Sequence, residues 1–146
     1  MTACQVVDAS FSLRTVLVNP LRAEARALMT EWNGVRLCAP TLWYYEMASS
    51  VSKLVRFGDL SRAEGEKAMQ LALELGIERV PPDEGDYRAA WGWTERLGRT
   101  ASYDSFYLVL AERFRSELWT ADKKLHRAVG EPWVRLLEEQ PEEITH

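Results

Sequence analysis

Short apolar runs alternate with longer amphipathic ones along this chain, and that alternation restricts its fold more than any other feature. The runs at 4–8 (CQVVD), 35–39 (VRLCA), 77–80 (IERV), 117–121 (ELWTA) and 133–137 (WVRLL) have the length and the lack of inner polarity of strands covered on both faces. Between them the period is helical. Residues 20–32 open on Pro20 and close before the turn pair Asn33-Gly34. A long helix starts at Thr41, as N-cap, and runs to about Phe57 before Gly58, with Trp43, Met47, Val51 and Leu54 on one stripe. Ser61 caps a helix ending near Leu75, Asp83 opens one through Leu97, another spans 103–115, and Asp122 begins a short one ending at Gly130. Strands alternating with helices predict an α/β sandwich around a parallel sheet. No internal repeat or linker divides the chain, so residues 1–138 are expected to form a single domain and 139–146 an acidic C-terminal tail.

Composition narrows the class. A hydrophobic share of 47% and a charged share of 27% are those of a soluble globular protein. No apolar run approaches the roughly 18 residues that cross a bilayer. Asp8 interrupts the first apolar stretch and no basic region precedes it, so no signal peptide is expected and a cytoplasmic location is. Cys4 and Cys38 lie in strand-like runs without metal-ligand spacing and are expected as buried free thiols. The net charge of −4 is not the overall signature of a nucleic-acid binder. Much of that charge, however, is held in the tail (Glu138, Glu139, Glu142, Glu143), and the basic residues are mostly Arg, which suits phosphate. Among the tryptophans, Trp43 and Trp119 sit in apolar runs as core residues. Trp91 and Trp93 cannot share a helix face, so one of them is expected at the surface or an interface.

Four acids stand where apolar elements begin, end or are interrupted: Asp8 (CQVVDAS), Glu46 (TLWYYEMA), Asp104 (SYDSFYLVLAE) and Asp122 (ELWTADKKL). Each has an ordinary reading beside the functional one. Asp8 suits a turn or cap. Glu46 suits the edge of an apolar stripe, Asp104 a complement to a helix dipole and Asp122 an N-cap. Asp104, however, shares the face of Tyr107, Leu108 and Ala111 at helical spacing, and a dipole complement has no reason to point coreward. Two strand ends and two helix starts can converge at one end of a parallel sheet, where ligand sites gather. Carboxylates brought together there repel one another and favour a hard divalent cation, Mg²⁺ or Mn²⁺, of the kind that assists phosphodiester hydrolysis. Thr120 is placed to orient a neighbouring carboxylate. His126, one turn after Asp122, is a weaker candidate for contact with substrate.

In VVDAS, the helical Glu46, YDSFYLVLAE and LWTADKKL, the chain resembles the PIN-domain family and, within it, nucleases of VapC type, over residues 6–125. The resemblance implies a three-layer α/β sandwich. It implies that Asp8, Glu46, Asp104 and Asp122 form the metal-binding quartet, that Thr120 is the hydroxyl residue two before the last acid, and that Ser10 is the small polar residue after the first. It further implies a Mg²⁺- or Mn²⁺-dependent endoribonuclease, a toxin with a cognate antitoxin, and a homodimer. The alternatives are a PIN-type nuclease of RNA processing or DNA repair, and an inactive metal- or RNA-binding module. Residues 11–19 (FSLRTVLVN) are too apolar for a solvated loop and are expected at the dimer or antitoxin interface.

Overall fold

A computed structural model of the chain describes residues 4–139. Five strands and seven helices alternate: β1 (Cys4–Val7), α1 (Ala9–Val16), α2 (Arg22–Glu31), β2 (Arg36–Pro40), α3 (Leu42–Arg56), α4 (Arg62–Leu73), β3 (Glu78–Val80), α5 (Asp86–Arg96), α6 (Tyr103–Phe114), β4 (Leu118–Thr120), α7 (Lys123–Val129) and β5 (Val134–Leu136). The strands make one sheet in the order β3-β2-β1-β4-β5, and every pairing among the described residues is parallel. The α/β sandwich around a parallel sheet expected from the alternation, in the three-layer form that the resemblance implies, is therefore the fold. Residues 140–146 of the expected acidic tail lie outside the described residues.

The strand order determines the layers. From β1 the chain steps to β2 and β3 in one direction, then returns across the sheet to β4 and β5. Parallel crossovers are right-handed, so this reversal sends the later helices to the face opposite the earlier ones. The contacts agree: α1 touches α2, α3 and α4, while α5 packs on α6 and α6 lies against β1 and β2. The reversal also opens a crevice between the carboxyl ends of β1 and β4, where open α/β sheets hold ligands.

The central strand is fully enclosed, with Val6 and Val7 both at 0% exposure. On the side of the early helices, Phe11 stacks on Trp32 at 5.6 Å between centroids and Trp32 meets Trp119 at 5.4 Å. Aromatic pairs of this kind contribute about 0.5–1.5 kcal/mol each beyond the area they bury. Trp43 is likewise buried, as expected, with its indole N–H donating to Ser12 Oγ at 2.9 Å. The Trp91/Trp93 pair divides as helical geometry demands: Trp93 is buried and Trp91 is exposed.

One helix is added to the expected elements and one expectation is corrected. Residues 11–16 form most of α1, which buries Phe11, Ser12, Thr15 and Val16 within its own chain, while Val18 beyond it is exposed. The strand-to-helix junction at Asp8 starts this helix one residue after β1, so the apolar residues fall on an inward face. Cys4 and Cys38 are not free thiols but a disulfide, because parallel pairing of β1 and β2 brings their Cα atoms to 6.6 Å. A smaller departure is at Thr41, which holds the N-cap position of α3 without a side-chain cap bond, whereas Ser61 and Glu64 form a complete capping box on α4.

The α3–α4 hairpin closes over Gly65. A Cβ placed there would meet Val55 Cγ2 at 2.6 Å and Val51 Cγ1 at 3.3 Å. Valine in a helix is nearly fixed at χ1, so it cannot yield easily. Gly65→Ala should therefore lose about 1 kcal/mol of stability, the overpacking outweighing the roughly 1 kcal/mol of helix propensity that alanine adds. Urea unfolding checks this, and adding Val55→Ala to the variant should lessen the harm that Gly65→Ala does.

Candidate active site

The β1–β4 register builds the site. Val7 pairs with Trp119, so Asp8 and Thr120 follow side by side at the carboxyl ends of neighbouring strands. The Asp8 N–H donates to the Trp119 carbonyl at 3.2 Å, which carries the ladder one residue beyond the strand. The Asp8 carboxylate then receives three donors. Thr120 Oγ1 donates to Oδ2 at 2.5 Å, Ser10 Oγ donates to Oδ1 at 2.7 Å, and the Phe11 N–H donates to Oδ1 at 2.9 Å, making Asp8 the N-cap of α1 as well. The two hydroxyls are held in turn: the Ala121 N–H donates to Ser10 Oγ at 2.9 Å and the Asp122 N–H to Thr120 Oγ1 at 3.0 Å. Each hydroxyl has a single hydrogen and gives it to Asp8, so the orientation of both is determined. Behind this layer, Ser12 Oγ donates to the Asp8 carbonyl at 2.8 Å while accepting from Trp43.

Asp8 is only 5% exposed, and that burial dominates its chemistry. Desolvation pushes its pKa from 3.8 up to about 6. The bonds from Thr120, Ser10 and Phe11 oppose the rise, and the charge of Asp104 adds to it. Glu46, on α3, is half-buried and is also pushed above the usual carboxylate range, first by desolvation and then by the charges of Asp104 and Asp8. Asp8, Glu46 and Asp104 therefore share one electrostatic neighbourhood.

Two partners missed in the sequence reading hold the other acids. Tyr107 Oη donates to Glu46 Oε1 at 2.6 Å. Its own pKa is driven far upward by burial and by the Glu46 charge, so the phenol keeps its proton and remains a donor. Arg99 forms an ion pair with Asp104 Oδ2. Tyr107 was visible as the residue one turn from Asp104 on the same face. Arg99 sits in the turn after Gly98, where only the folded chain reveals its partner.

Asp122 occupies a different place. Its Oδ1 accepts the Leu125 N–H at 3.1 Å, N-capping α7, and the residue lines a neighbouring hollow together with Lys123 and Lys124. The structure ties Asp122 to Asp8 through the Thr120 hydroxyl, not through its carboxylate. His126 follows on α7 and, among the described residues, its side chain makes no hydrogen bond or ion pair. The donor chemistry suits a hard divalent ion: oxygen ligands only, mutual repulsion, and a buried acid whose ionised form lacks a counter-charge. Among the described residues, no three carboxylate, imidazole or thiol groups already stand at single-ion spacing. Glu46 and Asp104 are engaged by Tyr107 and Arg99 instead.

A buried acid at a sheet switch point, with two further acids in its electrostatic neighbourhood, stands where open α/β folds bind their ligands, and the comparisons with known proteins say which family this fold belongs to. Residues 6–131 match the PIN domain model. The chain is 33% identical over 120 residues to the VapC ribonuclease Mb0985 of Mycobacterium bovis and to ribonuclease VapC9 of Mycobacterium tuberculosis, covering 82% of this chain and 87% of each relative. The fold matches the crystal structure of PAE2754 from Pyrobaculum aerophilum with a TM-score of 0.64, over 88% of this chain and 87% of that one, at 20% identity. The chain belongs to the PIN-domain family, in its VapC-type branch.

The raised pKa of Asp8 has a consequence for stability. The folded state binds this proton more tightly than the unfolded chain, so the contribution is complete below the unfolded value of 3.8 and is lost as pH rises through about 6. The loss is at most about 3 kcal/mol. In EDTA, wild-type stability should fall between pH 4 and 7. Asp8→Asn should flatten that fall and be about 1–3 kcal/mol more stable at neutral pH, read from denaturant unfolding across pH. An unchanged pH profile in the variant would place the titration elsewhere.

Proposed function

We propose that the protein is the endoribonuclease toxin of a toxin–antitoxin pair, hydrolysing RNA phosphodiester bonds with Mg²⁺ or Mn²⁺ as cofactor. The observation that carries this reading is the buried Asp8 carboxylate at the β1–β4 switch point, gripped by Thr120 and Ser10 and facing Glu46 and Asp104. The similarity to ribonucleases of VapC type supports the choice of RNA. Asp8, Glu46 and Asp104 would hold the ion, with Asp122 joining from the start of α7. When bound, the ion supplies electrophilic stabilisation to the phosphate and a more acidic attacking water.

The protein's own groups prepare that site. Thr120 and Ser10 aim both oxygens of Asp8, so the carboxylate loses no rotational freedom when a charge arrives. Tyr107 holds Glu46 in the same way. Arg99 offsets the charge of Asp104 in the resting protein and would be released to meet a substrate phosphate if Asp104 turned to another partner. Cleavage by this route leaves a 5′-phosphate and a 3′-hydroxyl. The same reading carries a cytoplasmic location, a homodimer and a cognate antitoxin whose segment covers the acids. Among the described residues no helix is long and apolar enough to cross a membrane.

The test is cleavage of total cellular RNA by the purified protein with Mn²⁺ or Mg²⁺, and with EDTA. Discrete metal-dependent fragments are expected. Asp8→Asn and Asp104→Asn should abolish them while the proteins stay folded, and Tyr107→Phe should slow cleavage by about 10- to 100-fold, the usual cost of removing a group that orients a ligand. Fragments that persist in Asp8→Asn would overturn the site assignment.

A further inference from the structure

Next to the acids lies a hollow of about 760 Å³ with a different chemistry, lined by Arg14, Lys123 and Lys124 with Asp122, Glu138 and Glu139. Ala121 and Asp122, which line it, are the residues whose N–H groups hold Ser10 and Thr120 on Asp8. The hollow thus shares Ala121 and Asp122 with the site at the end of β4. Three cations come from two elements, Arg14 from the last turn of α1 and the lysines from the first turn of α7. Among the described residues none of the three forms an ion pair, although carboxylates line the same space. Lys123 and Lys124 are exposed, and so are Glu138 and Glu139.

Three cations without an ion-pair partner among the described residues, beside a phosphodiester-cleaving site, suit the backbone of a polyanion. The three acids in the hollow cancel them on a formal count, and two of those acids, Glu138 and Glu139, belong to the acidic stretch that follows β5 and continues in sequence with Glu142 and Glu143. A carboxylate shares the oxygen-anion chemistry of a phosphate and competes for the same donors. We infer that this hollow is a second RNA-binding subsite, in which Arg14, Lys123 and Lys124 hold backbone phosphates flanking the scissile bond, and that Glu138 and Glu139 compete with RNA for those cations. This rests on the ribonuclease reading above. It explains how an acidic chain accommodates a polyanionic substrate: the local field is cationic wherever the two glutamates are displaced.

The experiment uses the full-length protein in EDTA, so that no cleavage occurs, with a short fluorescein-labelled single-stranded RNA of mixed sequence. Anisotropy gives Kd at salt concentrations from roughly 50 to 200 mM. Each phosphate neutralised on a single strand contributes about 0.7 to the slope of log Kd against log salt, so Arg14→Gln with Lys123→Gln and Lys124→Gln should lower that slope by about 1–2. Lys123→Gln with Lys124→Gln alone, both exposed and safe for folding, should lower it by about 1. Glu138→Gln with Glu139→Gln should bind roughly threefold tighter, with the difference shrinking as salt rises. Wild-type slopes in the lysine variant would overturn the subsite, and an unchanged Kd in the glutamate variant would overturn the competition. Either result, with metal-dependent cleavage still lost in Asp8→Asn, leaves the nuclease reading standing. Absence of any RNA binding by the wild type at low salt, together with absence of cleavage, would remove both.

Discussion

Parallel pairing of β1 with β4 is the constraint on which the rest of the molecule depends. It brings residues 112 positions apart, Asp8 and Thr120, into one hydrogen bond. The chain changes direction across the sheet at this pair, so the carboxyl ends of β1 and β4 diverge from the helices that follow and leave room for a ligand. Asp8 serves the fold and the site with the same atoms: its Oδ1 starts α1 through Phe11 and also receives Ser10. The geometry of the acid is thus secured by the helix it caps.

The arrangement is electrostatically expensive. A carboxylate at 5% exposure, its pKa raised by desolvation and further by the charge of Asp104, is destabilised in its ionised form. Elsewhere in the protein carboxylates are treated conventionally. Glu78, Glu66 and Glu131 pair with arginines at the surface, where such pairs contribute little. Asp8 has hydroxyl and amide donors but no cation, and this contrast separates it from the structural acids. Hydroxyl donors hold an anion without neutralising it, which leaves its charge available to an incoming ion. Glu46, held by a phenol, follows the same rule. Asp104, held by Arg99, does not, and under the proposed reading its partner would have to be exchanged for an ion or a phosphate.

The mixed-charge hollow completes the picture on the other side of Thr120. Ala121 and Asp122, the two residues after β4, stand between the acids and the hollow, so one end of the sheet presents carboxylates and, beside them, cations that glutamates balance. A phosphodiester backbone crossing that end would meet attraction at its flanking phosphates. At the reacting one it would meet carboxylates that tolerate it only through a shared cation. The overall charge of −4 hides this division because the glutamates after β5 are counted against the cations they face.

The sequence by itself determined the elements and the inventory of acids. Periodicity is a local property, and every strand and nearly every helix followed it, from the Trp43–Met47–Val51 stripe on α3 to the Gly130 stop after α7. Asp8, Glu46 and Asp104 were legible because each broke an apolar pattern, which costs free energy and so marks a purpose. Helix α1 was not legible because its boundary depends on where Asp8 caps, and a strand–helix junction with no intervening loop leaves no punctuation. Only the tertiary structure decided which groups meet. It joined Cys4 to Cys38, gave Arg99 to Asp104 and Tyr107 to Glu46, turned Asp122 toward its own helix, and gathered Arg14 with Lys123 and Lys124. Those pairings depend on strand order and crossover direction, and neither leaves a trace in the spacing of residues along the chain.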